Sequence, residues 1–328
     1  MRFIWLSTQN PHHNLAVEAY LLQETEDEVF MLWQNDNSVI IGRHQNALAE
    51  INREYVEQNH VVIARRLTGG GAVFHDLGNL NFSFIQNIPS GEREIDFVKY
   101  LQPIVEALHA LGVNAEFSGR NDLLVDGKKI SGNAMAFYGN RVLEHGTLLF
   151  STVQNNLVQA LKVDPDKFKD KAVKSVRSRV TNISEHLPKP MTVLEFKDFL
   201  MDFVLKQNNM SALDVLTSEE ESRIAELERI QFSTWDWNYG QSPKYALEHK
   251  VRTAGGTVQA VLDIKGGRIV ALRFYGDFFS RRDPQELEQA LIGTQYTREA
   301  VAEVLGQVPL EEYFSNVTSK EIVEVICG

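Results

Sequence analysis

Apolar and polar positions follow two different periods along this chain. Helix-type spacing, with apolar residues three and four positions apart, covers residues 15–24 and 95–111 and predicts two helices, the second ending at Gly112. Strand-type patterns cover residues 61–64, an apolar run, and residues 80–84, where apolar and polar positions alternate. Helices and strands alternate in this way without internal repeats, which predicts a domain that mixes both.

Capping sequences mark where further helices begin. Thr192 and Ser218 each stand three residues before a glutamate, a spacing at which the two side chains cap the first turn of a helix. We therefore expect helices directly after them, ending near positions 208 and 230. Two later helices are expected after Asp283, which precedes a first-turn proline, and after Thr318.

The pattern changes to hairpins near the C-terminal quarter of the chain. Pairs of glycines at 255–256 and 266–267 stand between alternating strands and predict tight turns. Because 328 residues exceed the size at which one core usually keeps growing, two domains are expected. We place the catalytic domain at residues 1–246 and a small α+β accessory domain at residues 247–328.

Three consecutive glycines at residues 69–71, here called the glycine loop, connect the two predicted strands. Such a run has a conformational cost that an ordinary turn does not require, and its backbone N–H groups can surround an anion. Arg65 and Arg66 precede it and add two positive charges. Phe74 stands where a Rossmann fingerprint needs glycine, and no Walker-type Gly-Lys-Ser/Thr occurs. The pattern predicts a phosphate-binding or carboxylate-binding loop of another kind.

Charge and cysteine content narrow the class of protein. The formal charge of −11, from 33 basic and 44 acidic residues, argues against a nucleic-acid partner. The single cysteine, Cys327, excludes a disulfide framework, and no zinc or iron site is predicted. The N-terminus lacks the apolar core of a signal peptide, and no run of eighteen apolar residues occurs. A cytoplasmic protein without a membrane partner is expected.

Several ordered segments of the sequence match those of a known family. They are residues 39–46, the glycine loop with its flanks at 65–84, and residues 119–123, 129–132, 145–149, 175–182 and 237–243. Through them the whole chain resembles lipoate-protein ligase A in its long form, which carries a C-terminal accessory domain. The resemblance implies an α+β, mixed-sheet catalytic domain related to biotin ligases and class II synthetases.

The resemblance also implies a two-step reaction. ATP, with Mg²⁺ as cofactor, would activate lipoate to lipoyl-AMP and release pyrophosphate, and a lysine of an acceptor lipoyl domain would then take the lipoyl group. The implied acceptors are E2 subunits of 2-oxoacid dehydrogenases or the H protein of glycine cleavage. A lysine that stabilises charge in both steps would serve them both. Lys129 matches the family's essential lysine, but strand alternation alone does not choose between Lys129 and Lys128.

Further site residues follow from the matched segments. The implied ATP and adenylate contacts are Arg66, Gly70, Gly71, Ala72, Val73, Phe74, His75, Asn79, Asp122 and Lys129. Val73 and Phe74 equally fit a hydrophobic core, and Asp122 would either orient Lys129 or help to hold Mg²⁺. The implied lipoate contacts are Gly42, Arg43, Arg66, Lys129 and His145, with Trp33 and His44 as candidates for the wall of the apolar slot. Trp33 fits an ordinary hydrophobic core as well.

A positive stretch at residues 167–179 contrasts with the acidic chain. It is either a solvated face or, as the family implies, a lid over the adenylate that includes Lys174, Ser175, Arg177 and Arg179. Two alternative functions remain at this point. One is an acyltransferase that moves octanoyl or lipoyl groups between carrier domains, and the other is a non-catalytic lipoate-binding protein. A cysteine-dependent transferase is disfavoured because Cys327 lies in the C-terminal tail.

Overall fold

The computed structural model describes residues 1–89, 96–118, 121–161, 180–239 and 247–328. The strands are β1 (Arg2–Trp5), β2 (Val29–Trp33), β3 (Ser38–Ile41), β4 (Val62–Arg65), β5 (Val73–His75), β6 (Asn79–Asn87), β7 (Glu116–Ser118), β8 (Asp122–Val125), β9 (Lys128–Tyr138), β10 (Arg141–Leu149), β11 (Leu247–Thr253), β12 (Gly256–Lys265) and β13 (Arg268–Gly276). The helices span Pro11–Gln23, Ala47–Glu50, Arg53–Gln58, Phe97–Ala110, Gln154–Ala160, Val193–Gln207, Ser218–Leu227, Trp235–Asn238, Pro284–Leu291, Arg298–Leu305, Leu310–Tyr313 and Ser319–Cys327, with a 3₁₀ turn at Ile183–His186 and a π turn at Glu228–Phe232.

A seven-stranded sheet forms the centre of the larger unit, in the order β1-β2-β6-β10-β9-β8-β7. Strands β1 and β2 are parallel, and the other neighbours are antiparallel. Helices Phe97–Ala110 and Val193–Gln207 pack against one face, and Pro11–Gln23 packs against the other. The predicted α+β fold with a mixed sheet is therefore confirmed.

Most predicted helix ends agree with the structure because caps are local features. The first helix begins at Pro11, earlier than expected, since the Asn10 side chain accepts a hydrogen bond from the backbone of His12. The capping boxes at Thr192 and Thr318 are confirmed. The predicted cap Ser218 was wrong by one residue, because Thr217 pairs with Glu220 instead. No helix in the described ranges is long and apolar enough to cross a membrane.

The glycine loop belongs to a second, small sheet of order β4-β3-β5. Strand β3 pairs parallel with β4 and antiparallel with β5. The loop leaves β4 and enters β5, so it must pass over the end of β3. Strand β5 was not predicted, because it is only three residues long, and the strand predicted to follow the loop is β6 of the large sheet.

The C-terminal part has its own sheet, β11-β12-β13, and its own hydrophobic core. Both predicted glycine turns lie between its strands as expected. Two adjacent aromatic residues join the cores, because Phe278 belongs to the C-terminal core and Phe279 to the core beneath the large sheet. The predicted boundary after position 246 adjoins residues outside the described ranges, and it stays a prediction.

Candidate active site

The two sheets enclose a cleft next to the glycine loop. Its empty volume, including the open mouth, is about 620 Å³. The residues that line it are Trp33, Ile40, Arg66, Gly70, Gly71, Ala72, Val73, His75, Asn81, Asn121, Lys129, Gly132, Asn133, Ala134, His145, Gly146 and Thr147. The cleft combines backbone donors, two cationic side chains and an apolar surface in one space.

The Arg66 side chain holds the glycine loop through hydrogen bonds to its carbonyl groups. Its Nη2 atom donates to the carbonyl oxygens of Gly69 at 2.7 Å and Gly71 at 2.8 Å, and its Nη1 donates to Ile40 at 3.2 Å. Burial lowers the pKa of the Arg66 guanidinium to about 10, so this arginine remains charged at neutral pH. A buried cation that holds the loop carbonyls also places positive charge where an anionic ligand would lie.

Gly69 and Gly70 of the glycine loop, and Gly42 beside it, occupy positions that restrict a side chain. A Cβ on Gly42 would lie 2.0 Å from the carbonyl oxygen of Gly70, and a Cβ on Gly69 would lie 2.6 Å from that of Phe278. Gly70 has φ of +90°, and an added Cβ there would lie 3.4 Å from the ring of Phe279. The C-terminal unit therefore contacts the loop directly, and glycine is required both for space and for backbone conformation.

Lys129 lies across the cleft from the loop, at the start of β9. Its Nζ is 2.7 Å from Oδ1 of Asp122, and both side chains are about one-third exposed. The pairing of β8 with β9 shifts by one residue between Leu123 and Leu124. Such a bulge changes the alternation of side chains, and it places the ammonium group of Lys129 over Gly132, where an added Cβ would be 2.7 Å from Nζ. Lys129 lines the cleft, whereas Lys128 is exposed outside it.

Two histidines form part of the cleft, and they have different surroundings. His145 contacts Glu18 through Nδ1 at 2.8 Å and Thr68 through Nε2 at 2.8 Å. His75 accepts a hydrogen bond from Asn35 on Nδ1, which leaves the proton of the neutral ring on Nε2. Burial, followed by the nearby Arg66 and His145, lowers the pKa of His75 to about 3. His75 is therefore a neutral donor at physiological pH.

Some predicted site residues lie outside the cleft. Phe74 points into the core around β3, because it alternates with Val73 and His75 along a strand. Asn79 is fully buried and donates to Asn81, which lines the cleft in its place. The remaining predicted contacts with ATP and lipoate line the cleft, apart from Asp122, which pairs with Lys129, and the Gly42–Arg43 pair.

The segment after β3 faces the C-terminal unit rather than the cleft. Gly42 underlies the glycine loop, and the guanidinium of Arg43 stacks over Trp237 at 4.6 Å and pairs with Asp283 at 3.5 Å. His44 stacks on Phe278 with ring centres 5.0 Å apart. Contact of these residues with lipoate stays a prediction, and it would require a different arrangement from the one observed.

Arg65 does not add charge to the loop entrance, contrary to the expectation from sequence. Its side chain is fully buried and donates to the carbonyl oxygens of Gly42, Gln45, Trp237 and Asn238 at 2.6–3.1 Å. Arg65 ends β4 and Arg66 follows it, and adjacent residues in extended chain point to opposite sides, so only one of the two arginines reaches the cleft. Arg65 joins the turn after β3 to the helix Trp235–Asn238.

The amide side chains of Asn81 and Asn133 also line the cleft, and neither residue was predicted from the sequence as part of the site. One signal was present in the alternation of β6, where Asn79, Asn81 and Ser83 occupy one face and phenylalanines the other. Buried polar side chains on a central strand need hydrogen-bond partners. A row of them therefore indicates a polar cavity or a hydrogen-bond network.

Two further predictions concern residues or groups that the structure does not describe. The lid residues Lys174, Ser175, Arg177 and Arg179 lie outside the described ranges. Within those ranges, no cluster of three or more His, Cys, Asp or Glu side chains could hold a metal ion. Asp122, which pairs with Lys129 beside the cleft, is compatible with an ion that is held mainly by phosphates.

The mixed sheet, its helical layers and this cleft define an α+β domain of the lipoate ligase class. A family model described as "Lipoyl protein ligase A/B catalytic domain" matches residues 10–204, and one described as "Bacterial lipoate protein ligase C-terminus" matches residues 242–326. Lipoate-protein ligase LplJ of Bacillus subtilis is 43% identical over 330 residues, which cover 98% of this chain and 99% of that protein. The chain belongs to the lipoate-protein ligase family, as the resemblance predicted.

Solved structures agree with this assignment. P. falciparum LipL1 in complex with lipoate has a TM-score of 0.79 at 24% identity, covers 99% of this chain and 98% of its own, and supports the fold alone. A lipoate-protein ligase A bound with ATP has a TM-score of 0.61 at 29% identity, over 73% of this chain and 98% of its own.

Proposed function

We propose that the cleft activates lipoate with ATP and transfers the lipoyl group to a lysine of an acceptor lipoyl domain. The observation that carries this proposal is the position of Lys129 and Arg66 on opposite sides of one cleft, which also contains the glycine loop and an apolar wall. Family membership supports the reaction type, and the cleft supports the assignment of residues to it.

In the first step, a lipoate carboxylate oxygen bonds to the α-phosphorus of ATP, and the bond to the bridging oxygen breaks so that pyrophosphate leaves. Negative charge develops on the phosphate oxygens. The backbone of Gly70 and Gly71 and the charge of Arg66 would stabilise it, because they are held in place before ATP binds. The apolar surface of Trp33 and Ile40 would take the alkyl chain and dithiolane ring of lipoate.

In the second step, the acceptor amine bonds to the lipoyl carbonyl carbon, AMP leaves, and the amine loses a proton to solvent. Lys129 would stabilise the developing charge in both steps, because its flexible side chain lies at the open side of the cleft. Asp122 would orient the ammonium group between turnovers. No thiolate is required, and Cys327 lies in the last helix.

Magnesium would reach the cleft with the phosphates of ATP. The single carboxylate of Asp122 fits such an ion, since Mg²⁺ usually takes one or two carboxylates together with substrate phosphates. Bound there, the ion would neutralise phosphate charge. The proposed acceptors are lipoyl domains of E2 subunits or the H protein, and the cytoplasm is the proposed compartment.

The test is pyrophosphate release from ATP and Mg²⁺ with and without lipoate, followed by mass analysis of an added lipoyl domain. We expect lipoate-dependent pyrophosphate and a lipoyl adduct on the acceptor. An acceptor whose target lysine is replaced by arginine is the control and should stay unmodified. Transfer from an acylated carrier domain without any pyrophosphate would instead identify an acyltransferase.

A further inference from the structure

A buried chain of hydrogen bonds runs from the first helix to the glycine loop. Glu18, in helix Pro11–Gln23, contacts Nδ1 of His145 at 2.8 Å, and Nε2 of His145 contacts Oγ1 of Thr68 at 2.8 Å. The same Thr68 oxygen accepts from Nε of Arg66 at 2.9 Å. All four side chains are at most 7% exposed. The chain therefore connects a carboxylate on one side of the large sheet to the arginine that shapes the loop.

A branch of this chain reaches the apolar wall of the cleft. Ser83 donates to Oε1 of Glu18 at 2.6 Å, and the indole N–H of Trp33 donates to Ser83 at 2.8 Å. Glu18 is thus the point where the branch from Trp33 meets the branch from His145. This pair of contacts satisfies Ser83, one of the three polar residues on that face of β6.

The donors and acceptors are consistent along the whole chain. Trp33 and Arg66 can only donate, so the hydroxyl groups that accept from them are free to donate onward. Ser83 then donates to Glu18, and the Thr68 hydroxyl can donate to Nε2 of His145 when Nδ1–H donates to Glu18. Such networks are strongest when every member is satisfied, and the loss of one member leaves a buried group unpaired.

We propose that Glu18 and Thr68 are positioning residues for the activation step. Neither residue lines the cleft. Thr68 is the link between His145 and Arg66, and Glu18 orients His145, so both would act on the reaction through residues that do line it. This inference rests on the proposed function, because the position of Arg66 matters to turnover only if the glycine loop holds ATP.

The first test compares Thr68→Val, which keeps the shape but removes the hydroxyl, with Thr68→Ser, which keeps the hydroxyl. Lipoate-dependent pyrophosphate release is measured over a range of ATP and lipoate concentrations, alongside thermal unfolding. We expect the valine variant to lose about tenfold or more in kcat/KM for ATP, a size typical of one lost positioning contact. The KM for lipoate should change less, and the serine variant should recover activity to within about threefold.

The second test uses two buried glutamates of the same sheet region. Glu18→Gln should lower kcat/KM for ATP, whereas Glu144→Gln should leave it unchanged. Glu144 is equally buried, but it precedes His145 on β10 and therefore faces the opposite side, and its carboxylate has no hydrogen-bond partner among the described residues. The double variant of Glu18→Gln with Thr68→Val should lose little more than the worse single variant, because both break one chain.

Three results would overturn the inference on its own. They are wild-type kcat/KM for ATP in a folded Thr68→Val protein, equal impairment of the serine and valine variants, and additive losses in the double variant. If Thr68→Val does not fold, the test rests on Glu18→Gln and its control Glu144→Gln. A folded Glu18→Gln protein with the same kcat/KM for ATP as Glu144→Gln would then overturn the inference. A wild-type protein that releases no lipoate-dependent pyrophosphate would instead refute the proposed function, and the inference would fall with it.

Discussion

The two walls of the cleft are built in opposite ways. The glycine wall, formed by the glycine loop with Arg66 and His75, is held by buried hydrogen bonds and by Phe278 and Phe279 of the C-terminal unit. The hairpin wall, formed by β8 and β9, presents Lys129, whose side chain is about one-third exposed and pairs with Asp122. One wall is rigid and the other presents a flexible cation.

This difference fits the two steps of the proposed reaction. Phosphate charge develops in the first step, and fixed donors stabilise it without reorganisation. The second step develops charge on the carbonyl oxygen instead, and a long flexible side chain can follow the change in position. We infer that the glycine wall sets the geometry of ATP and that the hairpin wall supplies a cation common to both steps.

The largest expected effect is on the hairpin wall. Lys129→Ala should lower adenylate formation by about 10³-fold or more, because it removes the cation that serves both steps. Lys128→Ala is the matched control, since Lys128 is exposed outside the cleft and its loss should change turnover less than about twofold. Pyrophosphate release measures the effect, and thermal unfolding shows that the fold persists. Near-normal turnover of Lys129→Ala would show that Lys129 does not stabilise the charge that develops in either step.

A methyl group tests the rigidity of the glycine wall. Gly42→Ala places a Cβ 2.0 Å from the Gly70 carbonyl oxygen, so backbone must move and the loop with it. We expect a loss of about 1–3 kcal/mol in the free energy of unfolding, as for an overpacked core, and about 100-fold in turnover. Denaturant unfolding and ATP kinetics measure the two. A variant with unchanged ATP kinetics would show that the loop tolerates displacement.

The same methyl group on the other wall should behave differently. Gly132→Ala places a Cβ 2.7 Å from Nζ of Lys129, which is the end of a flexible chain and can move aside. Turnover should fall about tenfold because the ammonium group is displaced. The midpoint of thermal unfolding should stay within about 2 °C of the wild type, since no backbone atom is in the way. A loss of stability as large as that of Gly42→Ala would contradict the contrast between the walls.

The last expected effect is on the pH dependence of stability alone and comes from His75. Burial holds its pKa near 3 in the folded state, whereas the unfolded chain protonates near the ordinary value of 6.5. The unfolded state therefore binds more protons as the pH falls below 6.5, and stability is lost by about 1.4 kcal/mol per pH unit from this group. His75→Gln should reduce the loss measured between pH 7.5 and about pH 5 by about 2 kcal/mol. An unchanged pH dependence would show that the His75 ring takes up its proton over the same pH range in the folded and unfolded states.

Much of the fold could be predicted from local features of the sequence, such as helix caps and glycine turns. Caps at Thr192 and Thr318 and the glycine turns of the C-terminal sheet depend on residues a few positions apart, so the sequence predicts them. The predicted cap, Ser218, differs by one residue from the observed cap, Thr217. Both hydroxyl residues stand three positions before a glutamate, so the spacing does not distinguish them. The short strand β5 gave no periodic signal, and its pairing with β3 joins segments more than 30 positions apart.

The sequence by itself determined the kinds of element, the glycine loop and the family. Only the tertiary structure decided which arginine and which lysine reach the cleft. Arg65 donates its hydrogen bonds to carbonyl groups of distant segments, and the pairing of β8 with β9 shifts by one residue between Lys129 and Ser131. It also decided the role of Glu18, which meets His145 across 127 positions of sequence. Periodicity and caps are local properties of the chain, whereas the direction and partners of a buried polar side chain depend on contacts that exist only after folding.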